Sequence, residues 1–306
     1  MSMTGSVATI GFFDGVHRGH QFVIGCVAAE ARRRGLRSVV VTFDRHPREV
    51  VAGSTAPELL TSLADKRRLI VEAGADDCEV LHFDTELAGL SAREFMSEVL
   101  RRRLGVEVLL LGYDNRFGRR DGNDEGFEDY VEFGRKLGIE VMRLEQYERI
   151  SSSAIRKAIA SGNVTVANGL LGRRYSITGT VVHGFAEGHK LGFPTANLST
   201  ESIPQLIPGR GVYLVRVTGL QDSALSGQYG MMNIGMRPTF GGEALSVEVN
   251  ILDYSGNLYG RELRVELVQR IREERRFSSH DALRCQLEQD RETCRKLIEK
   301  QDNFTS

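Results

Sequence analysis

Residues 7–34 read VATIGFFDGVHRGHQFVIGCVAAEARRR, and the order of features along this stretch decides the fold of the first half of the chain. The apolar run Val7–Phe12 has the length and composition of a strand that is buried on both faces of a sheet. A loop with several glycines follows, and Gly19–Arg34 then predicts a helix. A strand, a loop and a helix in this order predict one βα unit of a parallel sheet, in which ligands bind at the carboxyl end of the strand.

The alternation of apolar runs with amphipathic stretches continues to about residue 160. It predicts a doubly wound α/β domain. The loops that follow Phe12, Phe43 and Leu111 come at the carboxyl ends of predicted strands, so they are the candidate ligand-binding loops. The further predicted strands are Ser38–Phe43, Glu79–Phe83, Val108–Leu111 and Glu140–Leu144, and the further predicted helices are Leu63–Ala73, Ala92–Leu104 and Glu125–Leu137.

After about residue 165 the pattern changes to short strands separated by turns rich in Gly, Pro, Asn and Asp. This pattern predicts a small antiparallel β-barrel. A C-terminal helix from Ser279 to about Lys300 is expected to follow it, with Ser278 and Asp281 as a capping box. We therefore predict two domains, 1–168 and 169–306, connected through Ile155–Gly172. The predicted barrel strands are Tyr175–Val182, Val212–Thr218, Gln228–Ile234, Ser246–Leu252 and Leu263–Gln269.

The composition excludes several classes of protein. The chain has 306 residues, of which 41% are hydrophobic and 26% charged, and its net charge is −1. This balance is typical of a globular protein and indicates no nucleic-acid partner. No apolar run approaches the roughly 18 residues that span a membrane, and the first residues lack the pattern of a signal peptide. We expect a cytoplasmic protein without a membrane partner. The spacing of its four cysteines predicts no disulfide and no zinc site.

The loop Gly11–Gln21 has the composition of a phosphate-binding loop. Gly11 and Gly15 let the backbone come close to a ligand, and the start of the following helix offers N–H groups and a partial positive charge. His17 and His20 lie around that helix start and could donate hydrogen bonds to a phosphorus centre as its charge develops. The alternative is a turn with two solvent-facing histidines.

Two later segments supply further groups that could hold the same phosphate. Ser152 and Ser153 precede an apparent helix, so their hydroxyls and backbone N–H groups could hold phosphate oxygens. Arg156, one turn further, could grip a phosphate with its guanidinium fork. The alternative for this segment is a capped helix without a ligand. Asp114, at the end of the fourth predicted strand, could bind a hydroxyl or an amine of a ligand, or it could serve a turn.

The second half contains a candidate metal site in GHKLGFPTAN, residues 188–197. Thr195 and Asn197 are two residues apart in an extended segment, so their side chains point to one side. A hydroxyl and an amide carbonyl are hard oxygen ligands that suit Mg²⁺, together with water and ATP phosphates. The alternative is a loop without a ligand. Glycines that would let backbone N–H groups approach the phosphates are Gly184, Gly188 and Gly192.

The strand SVEVNILD, residues 246–253, carries a candidate general base. Val247, Val249 and Ile251 share one face of this strand, so Glu248 and Asn250 point to the other. A carboxylate on a rigid strand can orient a hydroxyl and take its proton as the hydroxyl attacks the γ-phosphate of ATP. The alternative is a solvent-facing glutamate on a barrel.

Taken together, these motifs resemble those of the bacterial bifunctional riboflavin kinase/FMN adenylyltransferases. HRGH is similar to the HxGH signature of adenylyl- and cytidylyltransferases, and GFFDGVHRGHQ is similar to the first motif of the family. The strings TFDRHP, LGYDNRFG and ISSSAIR follow in the family's order, as do GFPTANL, NIGMRPTF, VEVNILD and IREERRF in the second half. The sequence departs from the family at Arg45, Asn115, Ser153 and His189, where Pro, Phe, Thr and Arg are usual.

The resemblance implies a fold, two activities and the residues of both sites. The first domain would have the Rossmann-like nucleotidyltransferase fold and would adenylylate FMN to FAD with release of pyrophosphate. The barrel would phosphorylate riboflavin to FMN. ATP would be the co-substrate of both steps, and Mg²⁺ the cofactor. His17, His20 and Glu248 would be catalytic, and Thr195 and Asn197 would bind the metal. ATP or its phosphates would contact Gly11, Phe12, Asp14, Gly15, Asp114, Ser152, Ser153, Arg156, Gly184, Gly188, Lys190 and Gly192.

Three other functions stay open from the sequence. The chain could be a nucleotidyltransferase with another substrate, although that superfamily does not require a barrel. It could be an enzyme in which only the riboflavin kinase is active. It could also be a non-enzymatic flavin-binding regulator, but such a protein would need neither two phosphate sites nor a metal pair. The oligomeric state is not predicted.

Overall fold

The computed structural model describes residues 5–50, 55–113, 115–119, 125–145, 147–148, 150–184, 192–220, 222–239 and 242–305. The contacts of the chain separate two compact units, Met1–Ser152 and Ser153–Ser306. The first unit is built on an open sheet and the second on a closed barrel. The predicted α/β class, with an α/β domain before a β-barrel, is therefore confirmed.

The sheet of the first unit has the strand order β3-β2-β1-β4-β5. Each neighbouring pair in it is parallel. The central strand β1 is buried on both faces, because Val7 packs into one apolar cluster and Ala8 into another. This explains why the strands are continuous apolar runs in the sequence. The strands are β1 Ser6–Ile10, β2 Arg37–Phe43, β3 Asp77–Leu81, β4 Val106–Leu111 and β5 Glu140–Arg143.

Helices cover both faces of this sheet, as the doubly wound pattern predicts. On one face, Val27 of the first helix packs against Val7 of β1. On the other face, Met96 belongs to the same cluster as Ala8. The helices are α1 Arg18–Arg34, α2 Pro47–Val50, α3 Leu63–Glu72, α4 Thr85–Gly89, α5 Ala92–Glu94 and α6 Phe127–Leu137.

The helix predicted over Ala92–Leu104 has a different form along most of its length. Its start is regular, because Ser91 and Glu94 form a capping box. From Phe95 to Arg103, however, the segment is a π-helix, and the Leu104 N–H donates to the Val99 carbonyl at 3.1 Å. A wider turn of this kind depends on packing against the sheet, so hydrophobic periodicity predicted only that a helix exists here.

The second unit contains a closed barrel with the strand order β10-β7-β6-β11-β8-β9. All of its neighbouring pairs are antiparallel. Two strands differ from the sequence prediction: β7 was not predicted, and β9 is much longer than Gln228–Ile234. The strands are β6 Tyr175–Val182, β7 Ala196–Leu198, β8 Gly211–Gly219, β9 Asp222–Thr239, β10 Gly242–Ile251 and β11 Glu262–Arg272.

Two short helices, α7 Ser152–Ala160 and α8 Val164–Leu171, precede the barrel. Helix α8 packs on β11 and β6. The Asn168 side chain donates to the Leu267 carbonyl at 2.9 Å and accepts from the Tyr175 N–H at 2.7 Å. By its contacts, the second unit therefore begins at Ser153, before the boundary near residue 168 that the sequence pattern predicts.

The chain ends with the helix α9, His280–Thr305, which packs on the barrel. Its cap differs by one residue from the predicted one, because the Ala282 N–H donates to the hydroxyl of Ser279 rather than Ser278. Asp290 of this helix is 2% exposed and accepts two hydrogen bonds from the Arg272 Nε, at 3.0 Å each, and one from an Arg272 terminal nitrogen at 2.7 Å. A buried ion pair thus connects α9 to β11.

Candidate active sites

The loop between β1 and α1 has an unusual backbone. Phe13 has a φ of 51° and Val16 a φ of 37°, values that non-glycine residues rarely adopt, and Gly15 has a φ of 81°. The Gly15 N–H donates to the Thr61 hydroxyl at 3.2 Å, and the Val16 N–H donates to the Phe13 carbonyl at 3.1 Å. Strain of this kind persists only where surrounding contacts hold it, and it is concentrated at functional sites.

Asp14, to which the resemblance assigns ATP binding, makes hydrogen bonds within the protein. Its carboxylate is buried and accepts hydrogen bonds from the Leu60 N–H at 3.0 and 3.1 Å and from the Thr61 N–H at 3.2 Å. The Thr61 hydroxyl donates to the same carboxylate at 3.3 Å. Asp14 therefore attaches the loop to the segment that precedes α3.

His17 is the N-cap residue of α1. Its ring atom Nδ1 accepts a hydrogen bond from the His20 N–H at 3.3 Å, and the ring is buried. Because Nδ1 is the acceptor, a neutral His17 carries its proton on Nε2, so Nε2 is the atom able to donate. The cap contact thus orients the imidazole and selects its tautomer.

The two histidine rings of the HRGH motif lie in contact. Their centroids are 3.6 Å apart with an angle of 19° between the planes, and His20 also contacts the Phe13 ring edge-on at 5.2 Å. A Cβ atom at Gly19 would lie 3.3 Å from atoms of the His17 ring, closer than side chains normally pack. The glycine therefore leaves space for the His17 ring at the start of the helix.

The other motifs of the first unit end near this loop. The Ser152 hydroxyl donates to the Asp14 carbonyl at 3.0 Å, and the Asn115 side-chain amide donates to the Ile10 carbonyl at the end of β1. Asn115, the residue at which the family usually has Phe, therefore connects the loop after β4 to the end of β1 through a hydrogen bond. Ser153 and Arg156 lie in α7, and their phosphate contacts remain predictions; Asp114 lies outside the described residues.

An aromatic cavity of about 440 Å³ lies at the carboxyl ends of β4 and β5. The Arg143 guanidinium lies 4.6 Å from the centre of the Tyr113 ring and 5.4 Å from that of Phe127. It also donates to the Tyr113 carbonyl at 2.9 Å. Rings combined with a fixed cation are suited to a planar, electron-rich ligand group. The sequence did not indicate this cavity, because its residues come from three separate segments.

In the second unit, Thr195 and Asn197 line one cavity of about 400 Å³. The segment from Tyr254 to Tyr259 lines the same cavity. Asn197 is 8% exposed, and a Cβ atom at Gly184 would overlap its side-chain amide. Gly184 thus allows the amide to lie directly on the backbone, where its orientation is restricted. Gly192 has a φ of 80°, a value that favours glycine.

Glu248 lies on the neighbouring strand and is aligned with the candidate metal ligand. In the β10–β7 pairing it is opposite Asn197, and in the β10–β9 pairing it is opposite Asn233. Directly paired residues point to the same face of a sheet, so these three polar side chains share one face of the barrel. Burial raises the pKa of Glu248 above the ordinary range of a glutamate, and Arg237 acts in the opposite direction.

Two further contacts position the walls of this cavity. The Asn250 side chain, on the same face as Glu248, donates to the Pro194 carbonyl at 2.7 Å and so holds the residue before Thr195. The His183 and Tyr259 rings are stacked with centroids 3.9 Å apart. Neither contact was predicted, since each joins segments distant in sequence. Gly188, His189 and Lys190 lie outside the described residues.

The donors at Thr195 and Asn197 fit a magnesium ion that is bound mainly through nucleotide phosphates. Both are hard oxygen donors, and Mg²⁺ typically takes few protein ligands while it keeps waters and phosphate oxygens. In the part of the chain that the structure describes, no group of three or more His, Cys, Asp or Glu side chains could hold a metal ion. The described helices include none with the length and hydropathy of a membrane span.

Two protein families match the chain, one in the part that contains each candidate site. The FAD synthetase family matches residues 1–157, and the riboflavin kinase family matches residues 171–298. The segment between the two matches contains most of α8.

Curated relatives with both domains align along nearly the whole chain. The bifunctional riboflavin kinase/FMN adenylyltransferase of Escherichia coli K12 is 40% identical over 298 residues, which cover 96% of this chain and 93% of the relative. The protein of the same name from Haemophilus influenzae is 37% identical, with 96% and 94% covered. That from Bacillus subtilis is 36% identical, with 94% and 90% covered.

A solved structure is similar over the same length. The crystal structure of a Streptococcus pneumoniae protein, named a macrolide-efflux protein, superposes with a TM-score of 0.83 at 32% identity and covers 96% of this chain and 95% of that one. Its name conflicts with the names of the curated relatives. The two proteins share a fold. The matched families, FAD synthetase and riboflavin kinase, agree with the names of the curated relatives and not with the name macrolide-efflux protein.

Proposed function

The chain belongs to the family of bifunctional riboflavin kinase/FMN adenylyltransferases, and from this premise we propose which residues perform each of the two steps. The second unit would phosphorylate riboflavin to FMN, and the first would adenylylate FMN to FAD. The observation that carries the proposal is the pairing of Glu248 with Asn197 across β10 and β7, which brings a candidate base and a candidate metal ligand to one face. We further propose that the enzyme acts in the cytoplasm.

In the kinase step, Glu248 orients the attacking hydroxyl of riboflavin and accepts its proton. Thr195 and Asn197 would hold Mg²⁺, which would supply positive charge to the ATP phosphates. Asn250 keeps Thr195 in place through the Pro194 carbonyl. The stacked His183 and Tyr259 rings offer an aromatic surface at the edge of the cavity for the nucleotide base.

In the adenylylation step, His17 and His20 stabilise the charge that develops at the α-phosphorus of ATP. His17 donates from Nε2, because its Nδ1 accepts the cap hydrogen bond from the His20 N–H. The N-terminus of α1 adds a partial positive charge at the same place. Ser152, Ser153 and Arg156 hold the phosphates, while Asp14 acts as a loop anchor.

The FMN phosphate attacks the α-phosphorus directly, and pyrophosphate leaves. The attacking phosphate is already an anion, so the reaction needs no strong base. The loop Gly11–Gln21 contains neither Lys nor Cys that could form an adenylyl-enzyme. Catalysis therefore depends on position and on electrostatic stabilisation. The aromatic cavity with Tyr113, Phe127 and Arg143 offers a surface for a planar ring of one of the substrates.

The test measures both steps on one preparation of His20→Ala. Riboflavin, ATP and Mg²⁺ are incubated with the protein, and riboflavin, FMN and FAD are separated by chromatography. FAD formation should fall by about 10²–10³-fold, because one preorganised donor is lost. FMN formation should stay at the wild-type rate, since the kinase site uses other residues.

Two results would contradict the assignment. Equal loss of FMN and FAD in a folded variant would mean that the two steps do not have separate sites. A wild-type protein that makes FMN but no FAD would show that only the kinase is active. Labelled ATP gives an independent check, because a stable adenylylated protein after denaturation is incompatible with direct transfer.

A further inference from the structure

Lys66 is a buried cation beside the loop Gly11–Gln21, and neither the motifs nor the resemblance point to it. It lies in the first turns of α3 and is only 4% exposed. Its Nζ donates to the Phe12 carbonyl at 3.1 Å and to the Phe43 carbonyl at 2.8 Å. Lysines are almost never this deeply buried in proteins without a specific partner.

The two carbonyl groups belong to two different motif loops. Phe12 lies in the loop with the HRGH motif, and Phe43 ends β2 immediately before the histidine-containing segment DRHP. The Thr42 hydroxyl also donates to the Phe12 carbonyl, at 3.0 Å. The Lys66 Nζ therefore bridges the carboxyl ends of β1 and β2.

The same ammonium group is close to aromatic side chains of these loops. Nζ lies 4.1 Å from the centre of the Phe12 ring, and that ring contacts His46 edge-on at 4.7 Å. A cation over a ring is attracted by the electron density of its face. Lys66 thus contacts both the backbone and the ring of Phe12. Loss of its positive charge would therefore affect the start of the loop that leads to His17.

Burial of Lys66 lowers its pKa to about 8, so its charge changes within the usual range of enzyme assays. The titratable groups that act on it from the packed elements are Asp14 in the loop after β1, Asp44 in the loop after β2 and the Cys78 thiol on β3. All three act in the opposite direction, toward a higher pKa. Hydrogen bonds from an ammonium group are roughly twice as strong as those from a neutral amine.

We propose that Lys66 is a positioning residue for adenylyl transfer: its charged Nζ holds the Phe12 and Phe43 carbonyls together and so keeps the histidine loop in its reactive geometry. This inference rests on the proposed function, because it takes the loop with His17 and His20 as the site of FAD formation. Lys66 acts through the loop backbone. A hydrocarbon side chain would fill the space but would leave both carbonyls without this donor.

The experiment measures kcat/KM for FAD formation from FMN and ATP between about pH 6.5 and about pH 9.5, since this ratio reports groups of the free enzyme. The wild type is compared with Lys66→Met and Lys66→Arg. Arg67→Met, an exposed neighbour on the same helix, is the matched control. Riboflavin phosphorylation is measured on each preparation, together with thermal unfolding.

In the wild type, kcat/KM for FAD formation should fall as the pH rises through about 8, because Lys66 then loses its proton. Lys66→Met should lower kcat/KM by about 10–100-fold at neutral pH, because small displacements of reacting groups carry costs of this order. Lys66→Arg keeps a charge over the whole range, so its basic limb should vanish or move to higher pH. Arg67→Met should match the wild type, and riboflavin phosphorylation should be unchanged throughout.

The inference is overturned if the wild type shows no basic limb up to about pH 9.5, if folded Lys66→Met keeps wild-type FAD formation, or if Lys66→Arg keeps the wild-type limb. The pH profile of the wild type can still overturn the inference if Lys66→Met does not fold. Failure of the proposed function looks different: FAD formation is then absent from the wild type, or it persists in His20→Ala at the wild-type rate.

Discussion

Two glycines lie directly against polar side chains of the candidate sites. At Gly19 a side chain would crowd the His17 ring, and at Gly184 it would overlap the Asn197 amide. In each case the absence of a Cβ atom lets a polar side chain, proposed to act on a phosphate or a metal, lie against the backbone. The glycines thereby restrict the orientation of these groups before any ligand binds, which lowers the cost of ordering them.

Gly184→Ala tests this requirement at the kinase site. The added methyl group should displace the Asn197 amide, raise the Mg²⁺ concentration needed for half-maximal riboflavin phosphorylation and lower kcat/KM by about 10–100-fold. Gly169→Ala in α8 is the control, because its Cβ atom would meet no atom within 4 Å. Equal magnesium dependence in both variants would show that the Asn197 orientation is not required.

Glu248→Gln tests the proposed base through the pH profile. The unprotonated carboxylate is the active form, and burial raises the pKa of Glu248. In the wild type, kcat/KM for riboflavin phosphorylation should therefore fall as the pH drops through this raised pKa, at a higher pH than for an ordinary glutamate. Glu248→Gln should lower turnover by about 10²–10⁴-fold and lose this acid limb.

The control for this variant is Glu262→Gln, an exposed position on β11. It should keep the rate and the pH profile of the wild type. Binding of ATP to Glu248→Gln should stay close to normal, because glutamine keeps the shape of the side chain. A wild-type rate in Glu248→Gln would exclude Glu248 as the base.

Helix α9 is attached to the barrel by an apolar cluster and by one buried ion pair. Cys294, which is fully buried, packs with Phe193, Met231 and other side chains of the barrel. Burial raises the pKa of the Cys294 thiol to about 12, so it stays protonated and behaves as an apolar group. Met231 is paired with Asn250 of β10, and Asn250 lies two residues from Glu248 on the same strand. Met231 and Glu248 therefore point to the same face of the barrel. The helix therefore covers part of the face that carries the proposed base.

Arg272→Met tests the ion pair. It leaves the Asp290 carboxylate buried with Gln286 as its remaining hydrogen-bond donor among the contacts described, so the unfolding free energy of the second unit should fall by about 3 kcal/mol. The double variant Arg272→Met/Asp290→Met leaves no buried charge and should recover part of this loss. Denaturant unfolding of both variants measures the difference. A double variant that is no more stable than Arg272→Met would contradict the explanation.

The two compact units correspond approximately to the two matched families, and helix α8 belongs to the barrel unit through its packing on β11 and β6. Val164 and Leu171 of α8 are buried, with 1% and 0% exposure. Burial of side chains of this size contributes about 1.5–3 kcal/mol each. The stable form of the second unit should therefore include α8, although no kinase motif lies in it.

Fragments of the chain test this division. The fragment 153–306 should fold, phosphorylate riboflavin at a rate near that of the whole chain and make no FAD. The fragment 172–306 keeps the kinase motifs but loses α8, so it should unfold at a clearly lower temperature. A soluble, folded fragment 153–306 that makes no FMN would contradict the assignment of the kinase to this unit. Equal stability of the two fragments would mean that α8 contributes nothing to the barrel.

The sequence by itself determined the class of fold and the locations of the motifs, because these depend on residues that are near one another along the chain. The apolar run Val7–Phe12 predicted the first strand, and the pattern from Tyr175 onwards predicted the barrel. His17 was predicted near the start of α1 from the same local order. Local patterns did not separate α5 from the π-helix after it, and they missed β7, because in these places packing decides the conformation.

Only the tertiary structure decided which groups meet. The Lys66 Nζ reaches the Phe12 carbonyl across 54 residues of sequence, and nothing near Lys66 indicates this contact. The Asp14 carboxylate accepts hydrogen bonds from the backbone N–H groups of Leu60 and Thr61, 46 and 47 residues away in the sequence, and the motif around Asp14 did not indicate these contacts. Glu248 lies opposite Asn197 only because β10 pairs with β7 in one register, and a shift by one residue would turn Glu248 to the other face.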